Sequence, residues 1–261
     1  MMPELPDVET FRRYARRRGL HKRIKDVEIV DERILDDIPP RTFQAKLRGR
    51  TLDSAVRHGK YLFLTAGDTP VLLMHFGMTG KLAYAKGEHE DEKYDKIRLR
   101  FEDEHALIYQ CRRLLGKVGL VGAIDEAVEA LELGPDALAV SAKAFKDLLS
   151  SSPGMVKSVL MDQKRIAGIG NIYSDEILFH AGLHPRKTCK ELSDNEIGNL
   201  YRALNEVLKT AVDVKADPSS LPNDYLLTHR SKEGKCPRCG GSVRAITVGG
   251  RRAWYCPSRQ S

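Results

Sequence analysis

The sequence predicts an α+β fold in three parts: an N-terminal β-sandwich with a leading helix, a helical block, and a C-terminal zinc-ribbon-like β-hairpin. Three observations predict it. Seven short β-like runs follow one another between about Lys25 and Ile124, a density that fits two packed antiparallel sheets. Four segments between Ser141 and about Val214 repeat apolar residues at helical spacing. Three of the five cysteines fall in the last 26 residues, opened by a C-x2-C knuckle.

The leading helix is "LPDVETFRRYARRRG". Leu5, Val8, Phe11, Tyr14 and Ala15 form one face, Arg12, Arg13, Arg16 and Arg17 the other, and Gly19 is a natural stop. The strand candidates are "DVEIVDERIL", "TLDSAVRH", "KYLFLTA", "VLLMHFG", "KIRLRFE", "HALIYQC" and "KVGLVGA", separated by turns such as "AGDTP" and "EDEH". A Gly/Pro/Asp-rich join, "ELGPDAL", marks a boundary. The helical candidates are "SAKAFKDLLSS", "GMVKSVLMDQ", "NIYSDEILFHAG" and "SDNEIGNLYRALNEVLKTAV", the last opening on a capping box of Ser193 and Glu196. "ADPSSLPNDY" is a linker. The expected domains are 1–130, 131–228 and 229–261.

Composition bounds the partners. With 41% hydrophobic residues in 261, packed cores are expected. A net charge of +7 admits an anionic partner without naming one. The start is acidic, unlike a secretory signal, and the longest apolar run, "VLLMHFGM", is too short to span a bilayer. An odd cysteine count without a signal points to the reducing cytoplasm.

At the C-terminus, Cys236 and Cys239 form the knuckle, and Cys256 follows after 16 intervening residues. "SVRAITVGGRRAWY" between them reads as two strands about a Gly-Gly turn, the pattern of a zinc ribbon. Position 259, where a fourth thiolate belongs, holds Arg. His229, water or nothing would complete the shell, or the hairpin stands without metal and its thiols are idle. Upstream, "AGIGN" leads into a helix, and backbone N–H groups at such a start can hold phosphate. Asn171 there suits an N-cap or a ligand contact. Pro3, if unblocked, is a secondary amine and a possible nucleophile; it is equally a residue that favours a helix start. Taken singly, Lys60 in "RHGKYLFL" reads as solvated, and Met78 in "HFGMTG" and Leu115 in "YQCRRLLG" as core.

Taken together, "PELPDVE", "HGKYL", "HFGMTG", "LMDQKRIAGIGNIYSDEILFHAGLHP" and "VGGRRAWYCP" make the chain resemble, over nearly its whole length, the bacterial formamidopyrimidine-DNA glycosylases, relatives of endonuclease VIII. "PEL" rather than "PEG" favours the formamidopyrimidine branch. The resemblance implies a β-sandwich, a helix–two-turn–helix domain and a zinc hairpin. It also implies a monomeric base-excision repair enzyme for damaged double-stranded DNA, a glycosylase and AP lyase that removes oxidised or ring-opened purines by β,δ-elimination, with structural Zn2+.

By the same resemblance, Pro3 would attack the sugar C1′ and Glu4 would be the acid assisting ring opening. Lys60 would bind phosphate and help proton transfer, Arg251 would hold phosphate and assist the second elimination, and Asn171 would contact phosphate. Met78, Arg113 and Leu115 would fill the hole left by the everted nucleotide, offsetting part of the cost of unstacking.

Four departures qualify this. Met1 and Met2 precede Pro3, so a free proline amine is expected only if translation starts at Met2 and that methionine is removed. Arg259 stands at the fourth zinc position, and Leu115 and Cys111 replace the usual phenylalanine and aspartate. The stretch from Tyr225 to Cys236 is short for the loop that folds over everted 8-oxoguanine, so ring-opened purines and hydantoins are the expected lesions. A catalytically idle paralogue that binds damaged or distorted DNA is the alternative. A zinc-ribbon transcription or RNA-binding factor would need neither the Pro-Glu start nor Lys60.

Overall fold

The computed structural model of the chain describes residues 2–67 and 70–261. They form two compact units, one of residues 2–3 with Asp7–Leu131, the other of Glu4–Pro6 with Glu132–Ser261.

The first unit holds most of helix α1 (Leu5–Arg18), then strand β1 (Ile24–Ile29), helix α2 (Pro40–Leu47), strands β2 (Ser54–His58), β3 (Tyr61–Thr65), β4 (Val71–His75), β5 (Gly80–Lys86), β6 (Asp95–Phe101), β7 (His105–Cys111) and β8 (Lys117–Val121), and helix α3 (Ile124–Ala130). The strands pair antiparallel in two four-stranded sheets, β1-β6-β7-β5 and β2-β3-β4-β8. One core joins Val27, Ile97, Leu99, Leu107 and Tyr109 of the first sheet to Leu62, Leu64, Leu72, Met74 and Val118 of the second. The sandwich that the strand pattern predicts is therefore present.

Alternation explains β6: Ile97, Leu99 and Phe101 turn inward, and Lys96, Arg98 and Arg100 between them are only partly buried. β4 is apolar on both faces because Val71 and Leu73 meet Phe63 and Ala127 of α3 in a smaller cluster. The sequence reading missed α2, β5 and α3. Pro40 opens α2, and a Pro-Pro pair looks like a turn before it looks like a first helical position. β5 begins with glycine and carries two alanines, which blunts its alternation.

The second unit contains α4 (Ala142–Ser150), α5 (Val156–Met161), α6 (Asn171–Ala181), α7 (Asp194–Asp213) and a hairpin of β9 (Arg244–Val248) and β10 (Arg251–Tyr255). Ile197, Leu200, Leu204, Val207, Leu208 and Ala211 give α7 one apolar stripe against the core. Its capping box is formed, with Ser193 N–H donating to Glu196 at 2.9 Å and Glu196 N–H to Ser193 at 3.4 Å. α6 differs. It is buried without a break from Tyr173 to Phe179, and Ser174, Asp175 and Glu176 within it are 0% exposed. Buried carboxylates demand partners, and those partners organise the site. No helix among the described residues is long and apolar enough to cross a membrane.

Candidate functional site

Pro3 is buried, and Glu4 beside it is 1% exposed. The Glu4 carboxylate accepts the N–H groups of Gly170 (2.7 Å), Ile172 (2.8 Å) and Tyr173 (3.2 Å). It thus caps α6, whose N-cap residue, Gly170, has no side chain to do so. The glycines of "AGIGN" permit this approach. A Cβ on Gly168, at φ 116°, would lie 2.6 Å from Leu5 Cδ1, and one on Gly170 would collide with the Glu4 carboxyl. The phosphate cradle read from this turn is therefore corrected: its N–H groups hold the protein's own carboxylate. The N-cap reading of Asn171 is corrected too, since Asn171 is the first helical residue.

In the first unit, Lys60 is 8% exposed, unlike the solvated lysine that its residue type suggests, and follows Gly59 (φ 55°) in the β2–β3 turn. The next residue, Tyr61, is in register with His75 of β4, their rings 4.8 Å apart. Burial, and then the Lys60 charge, hold the His75 imidazole below its usual pKa. His75 joins the candidates. It lies inside "HFGMTG", but only strand register reveals that it neighbours Lys60.

Two turns bring Met78, Arg113 and Leu115 together. Gly77, at φ 56°, packs so tightly on the Leu115–Gly116 backbone that no Cβ fits there. Arg113 N–H donates to Thr79 Oγ1 at 3.1 Å, and its Nη1 lies 3.9 Å from Met78 Sδ. Leu114 takes a left-handed φ of 53° between them, a conformation that costs a non-glycine residue about 1–2 kcal/mol. Met78 is 38% and Leu115 53% exposed, two of five large apolar side chains so exposed among the described residues. The core reading of these two side chains is corrected. Cys111 is buried.

In the second unit, Asn171 donates from Nδ2 to the Arg252 carbonyl at 3.0 Å, while its Oδ1 is buried without a hydrogen-bond partner. Arg251, exposed at the hairpin tip, lies 3.8 Å from Met161 Sδ through Nη1. Gly249 (φ 53°) and Gly250 (φ 74°) make the left-handed turn that a two-residue hairpin favours. A Cβ on Gly249 would lie 2.9 Å from Ser158 Oγ, so the tip rests on α5.

The thiol sulfurs of Cys236, Cys239 and Cys256 lie within 4.8 Å of one another, close enough to hold a metal ion. A hydrogen bond from the Gly241 backbone, then the neighbouring thiols, lower the Cys239 pKa; burial pushes Cys256 up to about 11. No His, Asp or Glu among the described residues joins the cluster, so His229 does not complete it. The donor set is one short of a closed structural zinc. Where a fourth ligand would close the second knuckle, Gln260 does so instead. It accepts Cys256 N–H at 2.8 Å and donates to the Leu183 carbonyl at 2.8 Å. A second grouping, His89, Glu92 and Asp95, is not a comparable site, because the Arg98 guanidinium already bridges both carboxylates at 2.6 and 2.7 Å.

Residues 2–118 match the family model of the formamidopyrimidine-DNA glycosylase N-terminal domain, and residues 133–222 that of the formamidopyrimidine-DNA glycosylase H2TH domain. A formamidopyrimidine-DNA glycosylase of Arabidopsis thaliana is 35% identical, over 99% of this chain and 71% of that protein. One of Bacillus subtilis (strain 168) is 34% identical over 100% of this chain and 99% of its own length. Among solved structures, MutM in complex with DNA containing carbocyclic 8-oxo-G superposes with a TM-score of 0.90 at 30% identity, covering 99% of both chains. Lactococcus lactis formamidopyrimidine-DNA glycosylase, non-covalently bound to DNA containing an AP site, gives 0.89 at 31% identity, covering 98% of this chain and 99% of that one.

Proposed function

The chain belongs to the formamidopyrimidine-DNA glycosylase family, and from that premise we propose how its residues divide the reaction. It is a base-excision repair DNA glycosylase with AP-lyase activity on damaged duplex DNA. The Pro3 nitrogen, once freed of the residues ahead of it, attacks the sugar C1′. The bond to the damaged base breaks and the base leaves with its electron pair. The attacking amine gives up its proton, and the C1′–O4′ bond then opens with a proton delivered to O4′. The iminium so formed withdraws electrons from C2′, whose proton is lost as the 3′ phosphate departs; a second elimination releases the 5′ phosphate.

Glu4 assists ring opening, and its bonds to α6 fix the peptide that begins at Pro3. Lys60 holds phosphate and moves protons, with His75 beside it. Met78, Arg113 and Leu115 fill the vacated stack; their exposure supports this role, since an apolar wedge offsets unstacking. Asn171 holds phosphate, and Arg251 holds phosphate and assists the second elimination. Cys236, Cys239 and Cys256 would hold a structural zinc, which would cross-link the two knuckles and take no part in the eliminations. We keep 1–130 as the catalytic domain, 131–228 as the helix–two-turn–helix domain and 229–261 as the hairpin, in a cytoplasmic monomer.

Ring-opened purines and hydantoins are the assigned lesions. Segment 225–236 is folded back on itself through short-range bonds, and its Leu226 N–H is tied to the buried Glu176 at 2.8 Å. This leaves little chain to cover a flipped base.

One observation carries the reading: the Glu4 carboxylate buried on three N–H groups of α6 immediately after Pro3. The test is borohydride trapping on an abasic-site duplex with protein that begins at Pro3. A covalent complex is expected, partly retained in Pro3→Gly and lost when Met2 remains. Equal trapping by the Met-blocked protein would move the nucleophile elsewhere, first to Lys60.

A further inference from the structure

Asp175 lies at the centre of the second unit, with 0% of its side chain exposed. Its Oδ1 accepts Lys157 Nζ from α5 at 2.6 Å. Its Oδ2 accepts two donors, Arg230 Nη2 at 2.8 Å and the backbone N–H of Trp254 in β10 at 3.1 Å. One carboxylate therefore ties three elements to α6: the helix under the hairpin tip, the segment leading to the first knuckle, and the hairpin strand itself.

Lys157, also 0% exposed, places its remaining donors on Ser174 Oγ (2.7 Å) and the Asn171 carbonyl (3.2 Å). Asn171 in turn donates to the Arg252 carbonyl. β10 is thus held through the backbone groups of residues 252 and 254, alternate positions that point to the same edge of a strand. Arg251 stands one residue before the first of these. None of these bonds involves a thiol.

We propose that Asp175, braced by Lys157 and Arg230, is the positioning residue for Arg251, and that this buried network, rather than metal at the three cysteines, sets where the hairpin tip lies. The carboxylate accepts strong, charge-assisted bonds from two cations on different segments. Its hold on the Trp254 amide then fixes β10 two positions beyond the Arg252 attachment. A side chain displaced by about 1 Å at a reacting centre loses on the order of a hundred-fold in rate, so the clamp acts on the reaction without touching substrate. The inference rests on the assignment of Arg251 to the second elimination, and the test separates the two.

Asp175→Asn strands two buried cations and is liable to unfold the unit. Arg230→Gln is therefore the main variant: Arg230 is 14% exposed, and its removal leaves the Lys157–Asp175 pair intact. Trp254 is the protein's one tryptophan and is 8% exposed, so its emission reports hairpin docking independently of catalysis. In Arg230→Gln, Trp254 emission should shift to the red. On an abasic-site duplex the second elimination should slow about ten-fold, and the first by less than three-fold. Arg230→Lys, which restores one charged donor, should recover most of both. Chelation of any bound zinc from the wild-type protein should leave the emission in place.

An Arg230→Gln protein with wild-type emission, or an emission shift on chelation as large as that of the variant, overturns the clamp. Arg251→Ala is run in parallel. If it leaves the second elimination unchanged, the role of Arg251 fails, and the clamp is judged by emission alone. If it abolishes the second elimination while Arg230→Gln does not slow it, the clamp fails.

Discussion

The wedge turns of the first unit and the hairpin tip of the second both push side chains into solvent, yet they are built by opposite means. The wedge rests on neutral close packing: Gly77 lies flat on the Leu115–Gly116 backbone, one hydroxyl meets the Arg113 amide, and Leu114 is held in a left-handed conformation. The hairpin tip is anchored by a fully buried ion pair and an arginine one step further out. On the proposed roles, strained, neutral turns present apolar side chains to a base stack. On the same roles, a charged anchor presents an arginine to a phosphate. Packing errors in the first cost locally, whereas a missing charge in the second leaves other charges buried.

The largest expected effect tests that asymmetry. Asp175→Asn should destabilise the second unit by about 3–5 kcal/mol, the usual consequence of breaking a buried ion pair from one side. Urea unfolding followed by Trp254 emission measures it. A loss below about 1 kcal/mol would mean that water reaches the network, and the contrast with the wedge would collapse.

Gly77→Ala comes next. A methyl group there meets the Leu115 carbonyl in a backbone conformation that disfavours alanine, and overpacking of this kind costs about 1–3 kcal/mol. Weaker binding to an abasic-site duplex should accompany it, with Trp254 emission unchanged. Wild-type affinity in this variant would show that the two turns move apart without consequence.

Arg259→Cys sharpens the comparison by supplying the second unit with its missing ligand. Each ten-fold gain in zinc affinity adds up to about 1.4 kcal/mol to the folded state, read as zinc content and melting temperature. With the hairpin already fixed by Asp175, Trp254 emission and abasic-site affinity should hardly move. A large gain in affinity would return the leading role to the metal.

The smallest effect separates buried from exposed charge. The hydrogen bond from Lys187, then that from the Ser193 backbone, draw Glu196 down to about 2 from an ordinary 4.5. A carboxylate lowered on folding contributes above its unfolded value, so this stabilisation is complete above about pH 4.5 and fades as pH falls through 2. Glu196→Gln should cost about 0.5–1 kcal/mol at pH 7 and almost nothing at pH 2. An equal cost at both pH values would assign the effect to packing.

Sheets, helices and the hairpin were legible because periodicity is local. α7 shows this best, since its stripe and its capping box lie within one continuous stretch. The cap of α6 was not legible, because its carboxylate comes from Glu4, far away in sequence, and a Gly-rich helix start reads equally well as a phosphate cradle. His229 was a reasonable fourth ligand by spacing, but the turn before Cys236 does not bring its ring to the thiols. Met78 and Leu115 were placed by their motifs, whereas their exposure depends on glycines elsewhere in the two turns. The Asp175 network was invisible for a different reason. Asp175 falls in a helix that is buried all round, where no polar face marks a functional side, and its partners Lys157 and Arg230 carry no spacing that links them to it.

The distant cap also imposes an order on biosynthesis. Glu4 leaves the ribosome long before Gly170, Ile172 and Tyr173 exist to receive it. At about 5–20 residues per second, the intervening chain takes roughly ten to thirty seconds to make. Throughout that interval the first residues have no helix to dock on, and an aminopeptidase can reach the bond ahead of Pro3. Once α6 forms, Glu4 caps it. On the proposed reading, in which Pro3 supplies the reactive amine, methionine removal therefore competes with the docking of the residues that follow it.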